Sequence, residues 1–577
     1  MRKLAALSVA ALVAGLLSTG PSRADDPPGR SPGTGTPSAS SSAPAARVSP
    51  DEAQVARAPL PRLDWKTCSF AGDIPKERRA RVRCATPRVP LDYDDPRGAT
   101  TRLAVVKVAA ARPGRRIGSL FVNPGGPGGS SAGFAVDAGS VLGKDVDARF
   151  DVIGIDPRGV GGSGRTTCRG TIRVPGDFFG FPVGSRQVQQ QVRSDDSIRR
   201  ACRQQSSDLL DHASTADVAR DMELVRRALR EPRLSYYGIS YGSHLGTTYA
   251  AMFPDNIRAL VVDGVLDPVA WSTGGRGKKV QHPFSYRIGS GKGAYEALTA
   301  AWTECDRVGP TRCELAPASL AKWQAVVRAA RQGRLTLDGE PWVYQDVVGF
   351  GLGALYDPVG PRYFAQFVAG LYAELTAAAR GTRGRRVDVA RVSSFRVLAD
   401  LRRDLDERGP YAAPALSSTS VPSTAPAARP STVDVLFQAV TCSDGRNPQS
   451  PGAWERSAKL ADRVQPWFGR SWTWASSLCA KGGVGDGSDS FRGPWRTSTS
   501  YPLLVVGNSH DPATPVRGAR KVNSLFRDSV FTQYDAWGHG ALGGGACISR
   551  TMADYLVHRT LPPDGRVCPP ARPLYRR

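Results

Sequence analysis

Only six histidines occur in the 577 residues, and none clusters with the cysteines. The ten cysteines include no CxxC spacing, which argues against a zinc site. Acidic residues are outnumbered: 52 Asp and Glu stand against 77 Lys and Arg, a net charge of +25. The basic residues, mostly Arg, are scattered rather than massed in one run. No helix-turn-helix, zinc-finger or RNA-binding signature accompanies them, so nucleic acid is not the expected partner. Beyond the first residues, no stretch is long and apolar enough to cross a bilayer. No internal repeat is present, and no Lys-Ser/Thr pair follows the glycine-rich segment, which excludes a nucleotide P-loop. Nothing in the sequence asks for a metal or a cofactor.

What is present points outward from the cell. Arg2 and Lys3 precede an apolar run over residues 4–17, and Ser22 and Ala24 are the small residues that a signal peptidase reads. Residues 1–24 are therefore expected to be a signal peptide, and the mature protein to be secreted. An even number of cysteines fits disulfides in such a compartment. Pairing neighbours in chain order gives five bridges, one of many possible connectivities. The surplus of positive charge suits an anionic setting such as a cell wall.

Residues 25–60, rich in Pro, Ser, Gly and Ala, read as a disordered tail or pro-segment. Short apolar runs then alternate with helical patterns. Strands are expected over residues 102–110 (RLAVVKVAA), 119–123 (SLFVN), 150–156 (FDVIGID), 234–239 and 259–263 (ALVVD). A helix is expected over residues 214–230, with Ser214 or Thr215 as N-cap. The alternation predicts a mostly parallel sheet wrapped by helices. It breaks over residues 268–497, where helical patterns dominate and residues 412–431 read as a mobile loop. The sheet pattern returns at residues 502–507 (PLLVVG) and 530–534. The expected plan is one α/β domain, residues 61–267 and 498–577, interrupted by a helical lid over 268–497 above the strand ends, where open α/β sheets bind ligands.

The chemistry begins at Gly238-Ile239-Ser240-Tyr241-Gly242, placed between a strand and a helix. This G-x-S-x-G elbow exposes the serine hydroxyl on a turn too tight for side chains at its flanks, and the N–H of Tyr241 then faces a developing oxyanion. Asn123-Pro124-Gly125-Gly126-Pro127-Gly128-Gly129-Ser130 also follows a strand, and Gly125 or Gly126 is the expected second donor. A nucleophilic serine needs a base, and the base a carboxylate. In this arrangement the order is Ser, acid, His. His212 precedes Ser240, His244 lies one helical turn beyond it, His282 falls in the insertion, and His510 adjoins the best acid. His558 sits in a terminal helix, which leaves His539 in the loop Trp537-Gly538-His539-Gly540. Asp511, after the strand PLLVVG, is the expected acid. Asp263 competes with it but is read as a turn residue. Asp156, in Asp156-Pro157-Arg158-Gly159, is read as a loop brace. Asp444, in Thr441-Cys442-Ser443-Asp444-Gly445, either faces the pocket or caps the following turn.

Together these motifs resemble the secreted tripeptidyl aminopeptidases of actinomycetes, within the prolyl-aminopeptidase-like branch of α/β-hydrolase serine peptidases. The similar segments are NPGGPGGS (from Asn123), DPRGVGGS (from Asp156), YYGISYGSHLGTTYA (from Tyr236), VVDGVLDP (from Val261), TCSDG (from Thr441), NSHDPATP (from Asn508) and WGHG (from Trp537). The resemblance implies an α/β-hydrolase fold with a helical lid and Ser240, Asp511 and His539 as a triad. It also implies release of short peptides from free N-termini. Intracellular relatives carry His where this chain has Asn123, which weakens the transfer of their single-proline specificity. Peptides with a free N-terminus are the expected substrates, and Asp444 is the candidate partner for the ammonium group. The rival readings are an esterase or small-amide hydrolase with the same triad, and a non-catalytic cell-wall binding protein on a hydrolase scaffold.

Overall fold

The structure is a computed structural model that describes residues 49–70, 74, 76–173, 180–275, 277–381, 386–392 and 431–575. The expected signal peptide, the tail up to residue 48 and nearly all of the expected loop at 412–431 lie outside the described residues. At the centre is a nine-stranded sheet: β1 (Val82–Ala85), β2 (Val105–Val108), β3 (Gly118–Asn123), β4 (Phe150–Ile155), β5 (Leu234–Ile239), β6 (Ile257–Asp263), β7 (Leu504–His510), β8 (Val530–Trp537) and β9 (Arg566–Cys568). Their order is β1-β2-β4-β3-β5-β6-β7-β8-β9. Only β2 runs against its neighbours β1 and β4; every other pairing in this sheet is parallel.

Strands buried on both faces should be apolar throughout, and β3 and β5 are buried at every residue. Successive side chains feed opposite cores. In β5, Tyr236 enters one core and Tyr237 the other; in β6, Leu260 and Val262 join Tyr236, while Ala259 and Val261 join Tyr237. Helices α1 (Pro50–Arg57), α4 (Thr215–Ala228), α5 (Tyr241–Met252) and α13 (Val516–Leu525) close the Tyr236 side; α2 (Ser131–Leu142) and α14 (Ala546–His558) close the other. Ser214 caps α4 as expected, in a reciprocal box with Asp217.

The chain leaves the sheet after β6 and returns at β7, the adjacent strand, so the intervening segment stands over the strand ends. Its helices include α6 (Ser290–Val308), α7 (Ser319–Arg331), α8 (Tyr344–Tyr356), α9 (Gly360–Gly381), α10 (Leu436–Asp444), α11 (Gly452–Val464) and α12 (Phe468–Trp474). They enclose a separate core around Trp302, Trp323, Phe364 and Trp454. This cap has its own small sheet, Leu335–Leu337 with Glu340–Pro341 and Val387–Asp388. It also receives residues from the first half of the chain. Phe181 joins the cap core. In α3 (Gly184–Gln204), Arg199 donates to Leu478 O at 2.9 Å. The strand Thr167–Gly170 pairs with Ser431–Asp434.

Three expectations need correction. The expected strand at 102–110 is two, because Leu103 N and Ala104 N turn aside to Pro87 O and Ser163 Oγ. Residues 50–57, within the expected tail, form helix α1. Ser49 and Glu52 make a capping box, Val55 is buried, Ser49 Oγ donates to Met252 O at 3.0 Å, and Arg220 pairs with Asp51 at 3.1 Å. The folded chain therefore starts at Ser49, within the expected tail, with more than two turns of helix that composition does not imply. Residues 164–173 and 180–212, placed by sequence in the sheet domain, pack largely with the cap layer. All ten cysteines are paired between neighbours in chain order: Cys68–Cys84, Cys168–Cys202, Cys305–Cys313, Cys442–Cys479 and Cys547–Cys568. No described helix is long and apolar enough to cross a membrane.

Candidate active site

Ser240 stands between β5 and α5 with φ +62° and ψ −125°, a conformation rare for a residue with a Cβ. The sequence makes this turn possible through absent side chains. A Cβ on Gly238 would lie 2.3 Å from Gly242 O, and one on Gly242 would lie 2.6 Å from Asn123 O. Ser240 N donates to Asp263 O at 3.0 Å and Ser243 Oγ donates to Ser240 O at 2.5 Å, which fix the turn from both sides. The Ser240 hydroxyl makes no hydrogen bond to another described residue. Catalytic contacts of such a group commonly tighten only when substrate arrives.

Tyr241 opens α5, so its N–H has no partner within the helix and sits at the positive end of the helix dipole. The glycine-rich loop after β3 packs directly on it. A Cβ on Gly125, whose φ is +93°, would lie 2.8 Å from Ser240 Cβ and 2.9 Å from Tyr241 N. Gly125 N–H is already donated to Asn123 Oδ1 at 2.9 Å, and Asn123 Nδ2 donates to Ser131 Oγ. Of the two sequence candidates for a second donor, this leaves Gly126, and it explains what Asn123 does at the start of the loop. Gly125→Ala should lower kcat/KM by about a hundredfold or more, because the methyl must displace the backbone that faces the oxyanion. Steady-state kinetics beside a thermal melt would check this; melting should fall as well, because a Cβ at φ +93° is strained and crowds Ile239 O.

Asp511 and His539 are brought together although 28 residues separate them. His539 Nδ1 lies 2.9 Å from Asp511 Oδ2 and 3.0 Å from Oδ1. Asp511 is buried and further accepts from Ala513 N, Thr514 N, Thr514 Oγ1 and Gly540 N, at 2.7 to 3.1 Å. Burial works against a charge on His539. The attraction and hydrogen bond of Asp511, with a further contribution from Asp263, outweigh it and hold the imidazole above its ordinary value. The pair lies beside the elbow: a Cβ on Gly264, the residue after β6, would be 3.4 Å from His539 Cε1.

Comparison with known proteins agrees with this architecture. A family described as TAP-like protein matches residues 465–568, and the alpha/beta hydrolase fold family matches residues 118–275. Carboxylesterase B of Mycobacterium tuberculosis is 30% identical over 90% of this chain and 93% of its own length. The chain belongs to the TAP-like α/β-hydrolases, and it is a serine hydrolase. Among other members of the family, the tripeptidyl aminopeptidase of Streptomyces coelicolor is 28% identical, covering 87% of this chain and 85% of that one. Serine protease Hip1 of Mycobacterium tuberculosis is 26% identical, covering 88% and 91%.

Within this TAP-like hydrolase the remaining sequence candidates fall into place as supports. The Asp444 side chain does not cap the following turn but is engaged with Thr215 and Trp271. It is buried, its Oδ1 accepts from Thr215 N at 2.9 Å, and its Oδ2 accepts from Thr215 Oγ1 at 2.5 Å and Trp271 Nε1 at 3.0 Å. Burial, only partly offset by these bonds, pushes its carboxyl up to about 6. It fastens cap helix α10 to the start of α4, and Thr215 Oγ1 in turn meets Tyr241 Oη at 2.6 Å. Asp263 is more than a turn residue: it accepts from Ala541 N at 2.9 Å and from Tyr237 Oη at 2.7 Å, clamping the loop that carries His539. Asp156 braces the glycine-rich loop as expected, accepting from Ser130 Oγ and Ala132 N. Arg158 is wholly buried in a two-pronged pair with Asp221 at 2.8 and 2.9 Å. His244 is a core histidine, kept neutral by burial that lowers it to about 3.

Sequence reasoning passed over Thr514, whose hydroxyl donates to Asp511 and lies 3.2 Å from His539 Nδ1. Its position within NSHDPATP was the available signal. Among the described residues, the acidic group Asp92, Asp94 and Asp489 brings its oxygens within 4.8 Å of one another. None of these residues belongs to the elbow or to the His539 loop.

Proposed function

We propose that this hydrolase is a secreted serine exopeptidase that releases short peptides, tripeptides in the first instance, from free N-termini. The observation that carries the reading is the buried Asp511–His539 pair set beside a strained, half-exposed Ser240. Ser240 Oγ attacks the peptide carbonyl while His539 takes its proton. The N–H groups of Tyr241 and Gly126 hold the oxyanion. His539 returns the proton to the departing amine, and water resolves the acyl-enzyme with His539 again as base. Relatives named tripeptidyl aminopeptidase and serine protease support a peptide substrate. Five disulfides and the sequence of residues 1–24 support export. The net charge of +25 supports association with an anionic cell wall, which salt should weaken.

The second reading is an esterase with the same three residues, favoured by the 30% identity to a protein named carboxylesterase B. The non-catalytic reading has nothing comparable behind it, since a strained nucleophile is costly to keep without use. The decisive experiment compares a chromogenic tripeptide amide bearing a free N-terminus with its N-acetylated twin and with a simple acyl ester. Cleavage of the free tripeptide at least about tenfold faster than its twin, a difference of about 1.4 kcal/mol, is expected where the ammonium group is read. Equal cleavage of both peptides means an endopeptidase, and turnover of the ester alone means an esterase.

A further inference from the structure

The loop that carries His539 is held from two sides. On the sheet side, Asn508 Nδ2 donates to Gly538 O at 3.0 Å and to Gly540 O at 2.6 Å. On the other side, three successive residues of the loop each meet the cap. Trp537 Nε1 donates to Ala297 O of α6 at 3.2 Å. Gly538, at φ +94°, comes so close to the cap that a Cβ there would lie 2.9 Å from Pro358 N. His539 N donates to Tyr356 O at 2.9 Å, and the Tyr356 ring meets the imidazole edge to face, 5.1 Å between centroids at 70°.

Tyr356 is the last residue of α8, and its position is itself determined. The next residue, Asp357, is buried and accepts from Val359 N at 2.7 Å and Gly360 N at 2.9 Å, which starts α9. The turn between two cap helices therefore supplies both a backbone anchor and a ring wall to the histidine. Among the described residues, the side chains that meet the imidazole by hydrogen bond or ring contact are Asp511, Thr514 and Tyr356.

We propose that Tyr356 is a positioning residue for His539, so that this side of the cap belongs to the catalytic apparatus and is not a lid that swings away from it. The proposal rests on His539 acting as the base. A displaced cap would take with it the carbonyl that His539 N–H needs and the ring that limits its rotation. Substrate must then enter elsewhere than between α8 and the His539 loop. The Tyr356 ring also excludes water from the imidazole. The charged groups that act on His539 are Asp511 and Asp263, and both favour its protonation, whereas burial, the largest influence, opposes it. Admitting water by removing the ring should therefore raise the imidazole further.

The test uses full-length protein and three variants, Tyr356→Ala, Tyr356→Leu and Tyr356→Phe. The readouts are the rate of labelling by a fluorophosphonate, kcat and KM on a chromogenic tripeptide amide, their pH profiles, and the melting temperature. Tyr356→Ala should slow labelling and kcat by about tenfold or more with KM little changed. Its acid limb should move to higher pH, and Tyr356→Phe should restore most of the rate. Tyr356→Leu, which keeps apolar bulk without the aromatic edge, takes over the comparison if the alanine variant melts too low. Unchanged labelling and an unmoved acid limb would overturn the proposal, as would a rise in KM alone, which would make Tyr356 a substrate contact. Failure of the unmodified protein to label would instead undo the assignment of Ser240 and His539.

Discussion

Ser240→Ala is expected to lower turnover by roughly a millionfold while leaving the melting temperature nearly unchanged. The two halves of this prediction have separate causes. Turnover is lost because the Ser240 hydroxyl stands where the free N–H of Tyr241 and the Gly125–Gly126 loop converge, whereas the Ser243 hydroxyl at the same turn is engaged with Ser240 O and Leu266 N. Stability is kept because the Ser240 hydroxyl has no hydrogen-bond partner among the described residues to lose. Alanine also keeps a Cβ, so the cost of φ +62° is the same in both proteins. Ser240→Gly separates the two effects: it should be equally inactive yet more stable by about 1 kcal/mol, since glycine adopts positive φ without that cost. Hydrolysis of the tripeptide amide and a thermal melt on all three proteins decide the matter. Residual turnover in the alanine variant above about a hundredth of the original would remove Ser240 from the mechanism.

The sheet could be read from the sequence because its strands are buried on both faces and so are apolar without interruption, as in SLFVN and ALVVD. The elbow could be read because its geometry forbids side chains at residues 238 and 242, and the demand for glycine is local. The proposed acid and base rest on the order of the fold and the scarcity of histidine, and the structure brings the two side chains together. What escaped depended on distant partners. Helix α1 hides in a segment poor in large apolar residues, and its stability comes from Met252, Arg220 and a buried Val55 rather than from its own composition. Local sequence allows Asp444 only the roles of ligand group or turn cap, whereas its hydrogen bonds reach Thr215, 229 residues away. Tyr356 carries no motif at all. Its place against His539 follows from where α8 ends, which depends on how the cap packs over the sheet.

Asp511→Asn should lower kcat by about ten-thousandfold and move the acid limb of the kcat/KM profile to lower pH. The direction follows from the balance at His539. In the unmodified enzyme the imidazole titrates above its ordinary value: burial, the largest single influence, lowers it, but Asp511 and Asp263 together outweigh burial. Activity, which needs the neutral imidazole as base, should therefore fall as pH drops through a value raised from that of an ordinary histidine. Asparagine removes the charge and leaves burial, so the folded imidazole titrates lower. It also replaces by NH₂ one of two oxygens that each accept from two donors, Ala513 N and Thr514 N on Oδ1 and Thr514 Oγ1 and Gly540 N on Oδ2, so two donors lose their acceptor. The stability profile should change with the same sign. A histidine whose folded value is raised contributes stability below its unfolded value, and this is lost as pH rises through the folded value. In Asp511→Asn that loss on the alkaline side of the window should disappear, so melting temperature should vary less with pH there. Asp263 provides the contrast, since it too acts on His539 and is itself pushed up to about 6, mainly by burial. An acid limb that stays in place in Asp511→Asn would mean that Asp263 holds the charge of the base and that Asp511 serves only to orient it.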